Sequence, residues 1–203
     1  MANKLPTAVL LAGGKSNRMG SAKGLLSLPG GKTWLGAQVE ALLDTGVEEV
    51  VVVLGYGSEN YRSSVPELKH ARIVINPSPE RGQFSSLQAG ISSVATGDVF
   101  VLPLDVPCPG KDVWRAIFGG FGPETQAIMP VHEGRGGHPV LLARNFVNKL
   151  AAIAPDSEDA RLDAQLHGLS GDRLSRVSVV DARVTMNINT SVDWERFLAE
   201  RGQ

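Results

Sequence analysis

A short segment near the N-terminus, residues 11–23, combines small residues with positively charged side chains. It reads Leu-Ala-Gly-Gly over 11–14, and Arg18 and Lys23 follow within the next nine positions. Because glycine has no Cβ, the backbone N–H groups of such a segment can approach a phosphate closely. Basic side chains then neutralise the phosphate charge. The combination predicts a triphosphate site rather than a surface loop whose basic side chains are merely solvated.

One carboxylate is placed where it suits a metal ion. Asp105 follows the apolar run 98–104 and precedes the Pro-Cys-Pro sequence at 107–109. Mg²⁺ prefers oxygen ligands and usually shares them with substrate phosphates. The alternative is a turn aspartate, which is common before proline-rich turns. The glycine-rich segment at the same edge of the predicted fold favours the metal.

Two other glycine-containing segments resemble phosphate-binding motifs but lack required residues. The Gly-Lys-Thr at 31–33 has Leu26 where a P-loop needs its first glycine. The segment 55–60 has two glycines of a dinucleotide-binding motif and lacks the third. We interpret both as turns that precede helices.

Apolar runs and helical periodicity alternate along the chain. Strands are predicted at 7–11, 49–54, 71–75, 98–104, 127–130, 140–142 and 174–180. Helices are predicted at 33–45, 85–94, 111–118, 145–152, 160–167 and 192–201.

This alternation predicts an α/β fold with three layers, a doubly wound and mostly parallel sheet covered by helices on both faces. Ligands of such sheets bind beyond the carboxyl ends of the strands, so 13–23, 55–57 and Asp105 are expected on one rim. The segment 132–138 is expected in a small side sheet over the site. No composition shift marks a second domain, so we expect one domain over 1–203.

Composition excludes several classes of function. The 203 residues include 20 Lys plus Arg and 21 Asp plus Glu, a balance that argues against nucleic acid as a partner. No apolar run approaches the ~18 residues of a membrane span, and the N-terminus lacks a signal-peptide core, so no membrane partner is expected. Cys108 is the single cysteine, which excludes an internal disulfide and favours the cytoplasm.

Five segments follow one another along the chain: 11–23, 82–90 (GQFSSLQAG), 104–107 (LDVP), 137–140 (GHPV) and 187–190 (NINT). In this order they resemble the signature segments of the molybdenum-cofactor nucleotidyltransferases. This MobA-like group contains guanylyl- and cytidylyltransferases that act on molybdopterin. The resemblance covers nearly the whole chain and implies a GT-A-like, Rossmann-related fold.

The resemblance also implies a role for individual residues. It implies that the catalytic residues are Arg18, Lys23 and Asp105. It implies that the nucleotide is contacted by Leu11, Ala12, Gly13, Gly14, Arg18, Lys23 and Ser86. It also implies that the acceptor is contacted by His138 and Asn187, and that a Mg²⁺ cofactor is bound by Asp105 and Asn189. Asn189 is a departure, because the cytidylyl branch usually has Asp at that position.

The implied reaction joins a nucleoside monophosphate to the terminal phosphate of an acceptor, molybdopterin, and releases pyrophosphate. A molybdoenzyme would then receive the finished cofactor. GTP is expected modestly ahead of CTP, because Gly13 leaves room for a purine edge and 12–14 resembles the guanylyl branch. The segments 85–87 and 137–139 resemble the cytidylyl branch instead. A sugar- or alditol-phosphate nucleotidyltransferase and a non-catalytic nucleotide-binding module stay open as alternatives.

Overall fold

A central sheet of eight strands organises the computed structural model, which describes residues 4–15, 22–154 and 157–201. The strands in these ranges are β1 (Thr7–Ala12), β2 (Val50–Leu54), β3 (Arg72–Ile75), β4 (Val99–Pro103), β5 (Ala127–His132), β6 (Arg135–Gly136), β7 (Val140–Leu142) and β8 (Leu174–Ser178). The α-helices are α1 (Trp34–Thr45), α2 (Ser58–Ser64), α3 (Gln83–Ser93), α4 (Lys111–Phe118), α5 (Arg144–Ala152), α6 (Leu162–His167) and α7 (Ser191–Arg201). Within these ranges, no helix combines the length and the apolar character needed to cross a bilayer.

The strand order is β3-β2-β1-β4-β7-β5-β6, with β8 beside β5. The first four strands of this order are parallel to one another. β7 is antiparallel to both of its neighbours, β4 and β5, and therefore lies reversed between two strands of the same direction. The prediction of a mostly parallel sheet is confirmed, with β6 and β7 as its reversed members.

The expected side sheet at 132–138 is part of the main sheet. β5 and β6 form a hairpin in which His132 pairs with Arg135. The two residues between them, Glu133 and Gly134, have φ values of 48° and 77°. Two positive φ values match the twist of a tight hairpin, so the chain turns back within the sheet.

Helices cover both faces of the sheet, which confirms the three layers. Side chains of β1 alternate between the faces: Ala8 and Leu10 pack in one apolar cluster, Val9 and Leu11 in the other. The first cluster includes side chains of α1, α4 and α7, and the second includes side chains of α3 and α5. Every residue of β1, β2 and β4 is buried, as continuous apolar strands in a covered parallel sheet should be.

The two motif-like segments set aside above are turns before helices, as predicted. The hydroxyl of Thr33 accepts a hydrogen bond from the Gly36 N–H and caps α1, which ends at Gly46 with a φ of 88°. Gly57, with a φ of 68°, precedes α2. The sequence does not predict α2, because the segment SENYRSS has no apolar periodicity. Tyr61 is the buried residue of this helix.

Candidate active site

A cleft of about 510 Å³ opens at the carboxyl ends of β1, β2 and β4. The backbone after β1 forms one wall, and residues after β2 and β4 contribute others. Its lining residues are Leu11, Ala12, Gly13, Gly14, Lys15, Lys23, Tyr56, Pro79, Glu80, Gly82, Gln83, Ser86, Leu104, Asp105 and Asn189. The structure thus brings the predicted glycine-rich segment and the predicted metal-binding carboxylate into one cavity.

Lys23 lies between the two predicted metal ligands. Its Nζ is 3.8 Å from Asp105 Oδ2 and donates a hydrogen bond of 3.2 Å to Asn189 Oδ1. The Lys23 side chain is 12% exposed and that of Asp105 is 27% exposed, so this contact is largely shielded from water. A carboxylate oxygen and an amide oxygen therefore face the same positive charge from separate elements.

The same two oxygens fit a divalent cation of the magnesium type. Hard cations take oxygen ligands, and Mg²⁺ usually uses one or two protein groups together with water and phosphate oxygens. Among the described residues, no cluster of three or more His, Cys, Asp or Glu side chains could hold a metal by itself. Asp105 and Asn189 match a cation that arrives with a nucleotide rather than one enclosed by protein ligands.

Asn189 is held by the start of α7. Asp193 Oδ2 accepts hydrogen bonds from the backbone N–H groups of Asn189 at 3.0 Å and Thr190 at 2.8 Å. The Thr190 hydroxyl in turn accepts from the Asp193 N–H at 3.2 Å. Hydrogen bonds from the Thr190 hydroxyl and these N–H groups lower the pKa of the Asp193 carboxyl. Residues 190–193 form a capping box, and the Thr-x-x-Asp spacing is the sequence pattern that indicates it.

Gly13 is in close contact with the loop after β2 and with α3. A Cβ built on Gly13 would lie 2.7 Å from Ser86 Oγ, and one built on Gly55 would lie 2.6 Å from the Gly13 carbonyl oxygen. Buried Asn76 donates to Ser86 Oγ at 3.0 Å and holds that hydroxyl in place. The structure therefore gives Gly13 a packing role, which differs from the expected room for a purine.

Several lining residues were not predicted as site residues. Lys15 Nζ lies 4.6 Å from the ring centroid of Tyr56, a cation–π contact across the cleft wall. Tyr56 follows β2 at the same edge of the sheet as Gly13. This position in the sequence is the signal that could have identified it as a site residue. Glu80 lies in the turn before α3, where no motif points to it, whereas Gln83 begins α3 and belongs to the segment 82–90, in which only Ser86 is a predicted contact.

The predictions for Arg18 and Asn187 have different outcomes. Arg18 lies outside the described residues, so its role stays a prediction. Asn187 is exposed and lines neither this cavity nor the second one within the described part of the chain. Its Nδ2 donates to the Thr185 carbonyl oxygen at 3.4 Å.

A second cavity of about 900 Å³ adjoins the first and shares Leu11, Gly82 and Gln83 with it. Its apolar lining includes Phe84, Leu87, Val101, Met129 and Val140. Its charged and polar lining includes Arg81, His167, Arg176 and the ion pair of Arg161 with Asp163. No motif in the sequence had indicated the three arginines. The cavity combines an apolar interior with positive charge, which suits a bulky ligand that carries phosphate.

His138 lines the second cavity, and the charge of Asp105, which lines the first, acts on its imidazole. Burial lowers the pKa of His138, against the opposing effects of Asp105 and of a hydrogen bond to the Val101 backbone. Its Nδ1 is buried and has no hydrogen-bond partner among the described residues. The ring is therefore neutral at neutral pH.

The backbone of the Gly-His-Pro segment packs against the turn that leads to Asn189. The His138 N–H donates to the Val184 carbonyl oxygen at 2.8 Å. A Cβ on Gly137 would come within 2.1 Å of the same oxygen, so only glycine fits this crossing. Farther along, the Ile188 N–H donates to the Asp105 carbonyl oxygen at 2.8 Å. The segments 104–107 and 187–190 thus meet through a backbone hydrogen bond, and the segment 137–140 packs against Val184, just before 187–190.

A glycine-lined cleft at the carboxyl edge of a mostly parallel sheet, with a lysine facing a carboxylate, defines a nucleotide-binding α/β protein. Comparison with known families agrees with this class. The chain belongs to the MobA-like NTP transferase domain family, whose model matches residues 8–169.

Individual relatives match over most of their length. The molybdenum cofactor cytidylyltransferase of Escherichia coli K12 is 26% identical over 92% of this chain and 92% of its own. A probable molybdenum cofactor guanylyltransferase of Mycobacterium tuberculosis is 34% identical over 90% of this chain and 88% of its own.

Solved structures show the same fold. The crystal structure of Rv0371c from Mycobacterium tuberculosis superposes with a TM-score of 0.82 at 25% identity, covering 98% of this chain and all of that one. A complex of Rv0371C with manganese superposes with a TM-score of 0.75 at 23% identity, covering 97% and 99% of the two chains.

Proposed function

We propose that this nucleotidyltransferase joins a nucleoside monophosphate to the terminal phosphate of molybdopterin and releases pyrophosphate. Relatives that match nearly the whole chain are named molybdenum cofactor cytidylyltransferase and guanylyltransferase. The observation that carries the proposal is the position of Lys23, whose ammonium faces Asp105 and Asn189 beside the glycine-rich backbone. One cavity thus combines what a triphosphate and its metal need.

The chain's own residues position the reactants and neutralise charge. The backbone of 12–14 lies against the phosphates and ribose, and Lys23 pairs with the β- and γ-phosphates that leave. Ser86 contributes a hydroxyl from the wall of the same cleft. The attacking acceptor oxygen is already anionic, so it needs no strong base. It forms a bond to the α-phosphorus while the bond between that phosphorus and the bridging oxygen breaks, and the electron pair leaves with pyrophosphate.

The cation that we propose is Mg²⁺, held by the Asp105 carboxylate and the Asn189 amide oxygen. When bound, it supplies positive charge to the phosphate oxygens as negative charge develops on the leaving group. The fit of the two converging oxygens supports this assignment. The manganese in the Rv0371C structure is an observation about that protein, and it agrees with a divalent cation in the fold.

The acceptor is assigned to the second cavity. Its apolar walls suit a fused heterocycle, and Arg81 and Arg176 suit the phosphate that must reach the nucleotide. Leu11, Gly82 and Gln83 border both cavities, so a ligand in each would meet at that boundary. We propose that His138 contributes to the acceptor side as a neutral, buried ring in the wall of the second cavity. Asn187 stays a predicted acceptor contact without support from the cavity linings.

The choice of base is the finer part of the proposal. The expectation of GTP depends on room for a purine beside Gly13, yet Ser86 Oγ lies in that space. Names of both guanylyl- and cytidylyltransferases occur among the relatives. A thermal-shift series with Mg²⁺ and equal concentrations of GTP and CTP ranks the two, since the tighter ligand raises the melting temperature more.

A pyrophosphate-release assay tests the function directly. Four nucleoside triphosphates are each combined with molybdopterin, a sugar 1-phosphate and an alditol phosphate, with Asp105→Asn as the inactive control. We expect release with molybdopterin and with GTP or CTP. Release only with a sugar or alditol phosphate would replace the acceptor. Nucleotide binding without release from any pair would leave a binding module.

Two further expectations accompany this function. The handover of the product to a molybdoenzyme stays a prediction, as does the cytoplasmic location that the single cysteine suggested. Cys108 is buried, and burial raises its pKa to about 12, so the thiol takes no part in the proposed chemistry.

A further inference from the structure

Gln38 is a buried amide on the face of α1 that otherwise packs apolar side chains. It is 3% exposed, so water cannot satisfy its amide group. Its Nε2 donates to the Val106 carbonyl oxygen at 2.7 Å, and its Oε1 accepts from the Cys108 N–H at 3.0 Å. Both hydrogen bonds join Gln38 to the loop that follows β4. The loop residues that they reach come after Asp105 in the chain, whereas the strand comes before it.

The loop needs such a partner because the sheet no longer supports it. β4 ends at Pro103, and Val106 and Cys108 lie beyond it, 1% and 6% exposed. The prolines at 107 and 109 have no N–H and therefore cannot donate backbone hydrogen bonds. Gln38 therefore takes the place that a neighbouring strand would have for Val106 and Cys108.

Three consecutive carbonyl oxygens around Asp105 each accept a hydrogen bond, two from side chains of α1 and one from the turn before α7. Trp34 Nε1 donates to Leu104 at 2.7 Å, the Ile188 N–H donates to Asp105 at 2.8 Å, and Gln38 donates to Val106. The bonds from Trp34 and Ile188 hold the peptide planes on both sides of Asp105, and the bond from Gln38 holds the next plane, between Val106 and Pro107. The direction of the carboxylate toward Lys23 depends on these planes.

We propose that Gln38 is a positioning residue, which holds the loop so that the Asp105 carboxylate meets the metal–nucleotide complex. This inference rests on the proposed function. Gln38 itself touches neither the cleft nor, by our assignment, any substrate. Groups that orient a metal ligand typically change metal affinity or activity by about 10- to 100-fold when removed.

The test compares Gln38→Met with Gln88→Met. Methionine has nearly the length and volume of glutamine and makes neither hydrogen bond. Gln88 is a matched control, since its Nε2 donates to the Leu150 and Ile153 carbonyl oxygens between α3 and α5. Mn²⁺ binding is titrated by electron paramagnetic resonance with GTP or CTP present and no acceptor, and pyrophosphate release is measured against metal concentration.

Both variants should lose some thermal stability. Only Gln38→Met should weaken Mn²⁺ binding, by about 10-fold or more, and raise the metal concentration for half-maximal release. If the two variants bind Mn²⁺ equally well, the positioning role of Gln38 is refuted, whereas the proposed function is not. Failure of the wild-type protein to bind Mn²⁺ with either nucleotide overturns the proposed function, and this inference with it.

If Gln38→Met does not fold, Gln38→Glu provides a second test. A protonated glutamic acid can donate to Val106 and accept from Cys108, whereas the carboxylate cannot donate. The metal affinity of Gln38→Glu relative to wild type should therefore rise as the pH falls. A constant ratio across pH contradicts the positioning role, because a general loss of packing has no reason to recover on protonation.

Discussion

Gly13→Ala is the substitution whose outcome distinguishes packing from ligand room. The added methyl would lie 2.7 Å from Ser86 Oγ, nearer than real Cβ atoms approach another atom. Ser86 is 4% exposed, and its hydroxyl accepts a hydrogen bond from Asn76, so it cannot turn away freely. We expect the variant to fold with reduced stability.

The magnitude follows from these contacts. If Ser86 rotates, one buried hydrogen bond is lost, at a cost of about 1 kcal/mol. If the backbone shifts instead, overpacking costs about 1–3 kcal/mol. In a chain of this length each kcal/mol lowers the melting temperature by about 2–4 °C. Gly13→Ala should therefore melt several degrees below wild type.

Gly14→Ala is the matched control, because its Cβ would meet no atom of the described residues within 4 Å. It should change the free energy of unfolding by less than about 1 kcal/mol. Adding Ser86→Ala to Gly13→Ala should restore stability, since the next atoms, of Gly55, lie at an ordinary 3.5 Å. Urea unfolding without nucleotide measures all four proteins. Equal stability of the two glycine variants, or no recovery in the double variant, refutes the packing argument.

Three further predictions concern charge at the site. Asp105→Asn should lower turnover by at least ~10²-fold in a folded protein, and near-normal release in Mg²⁺ would contradict the metal role. Lys23→Ala should weaken triphosphate binding far more than nucleoside binding by calorimetry; equal losses would remove Lys23 from the phosphate site. Burial lowers the pKa of His138, so its contribution to stability is complete above its ordinary value of 6.5 and is lost as the pH falls below it. His138→Gln should therefore lose less stability than wild type between pH 7 and 5, as measured by urea unfolding at each pH, and equal losses would contradict this role.

Local patterns of residue type predicted most of the architecture. Strand and helix periodicity depends on neighbours within a few turns of chain, and α1 was found between the predicted Thr33 and Gly46. The rule that ligands meet the carboxyl ends of parallel strands then placed Gly13, Gly14 and Asp105 in one cleft. These features follow from the sequence because each requires only short segments and one general rule of sheet topology.

The direction of β7 could not be predicted in this way. Its three residues, Val-Leu-Leu, are buried and apolar, and such a run is compatible with either strand direction. α2 was missed for a related reason, since a short helix that buries only Tyr61 has no periodic face. Both were decided by what the rest of the chain packs around them.

The contacts that hold the site were decided by tertiary structure alone. Lys23 and Asn189 are 166 positions apart, and Gln38 and Val106 are 68 apart, so no local pattern connects them. The sequence by itself determined that residue 13 is a glycine. Only the fold determined which atom lies opposite it, because the space beside a backbone is set by distant residues, here Ser86.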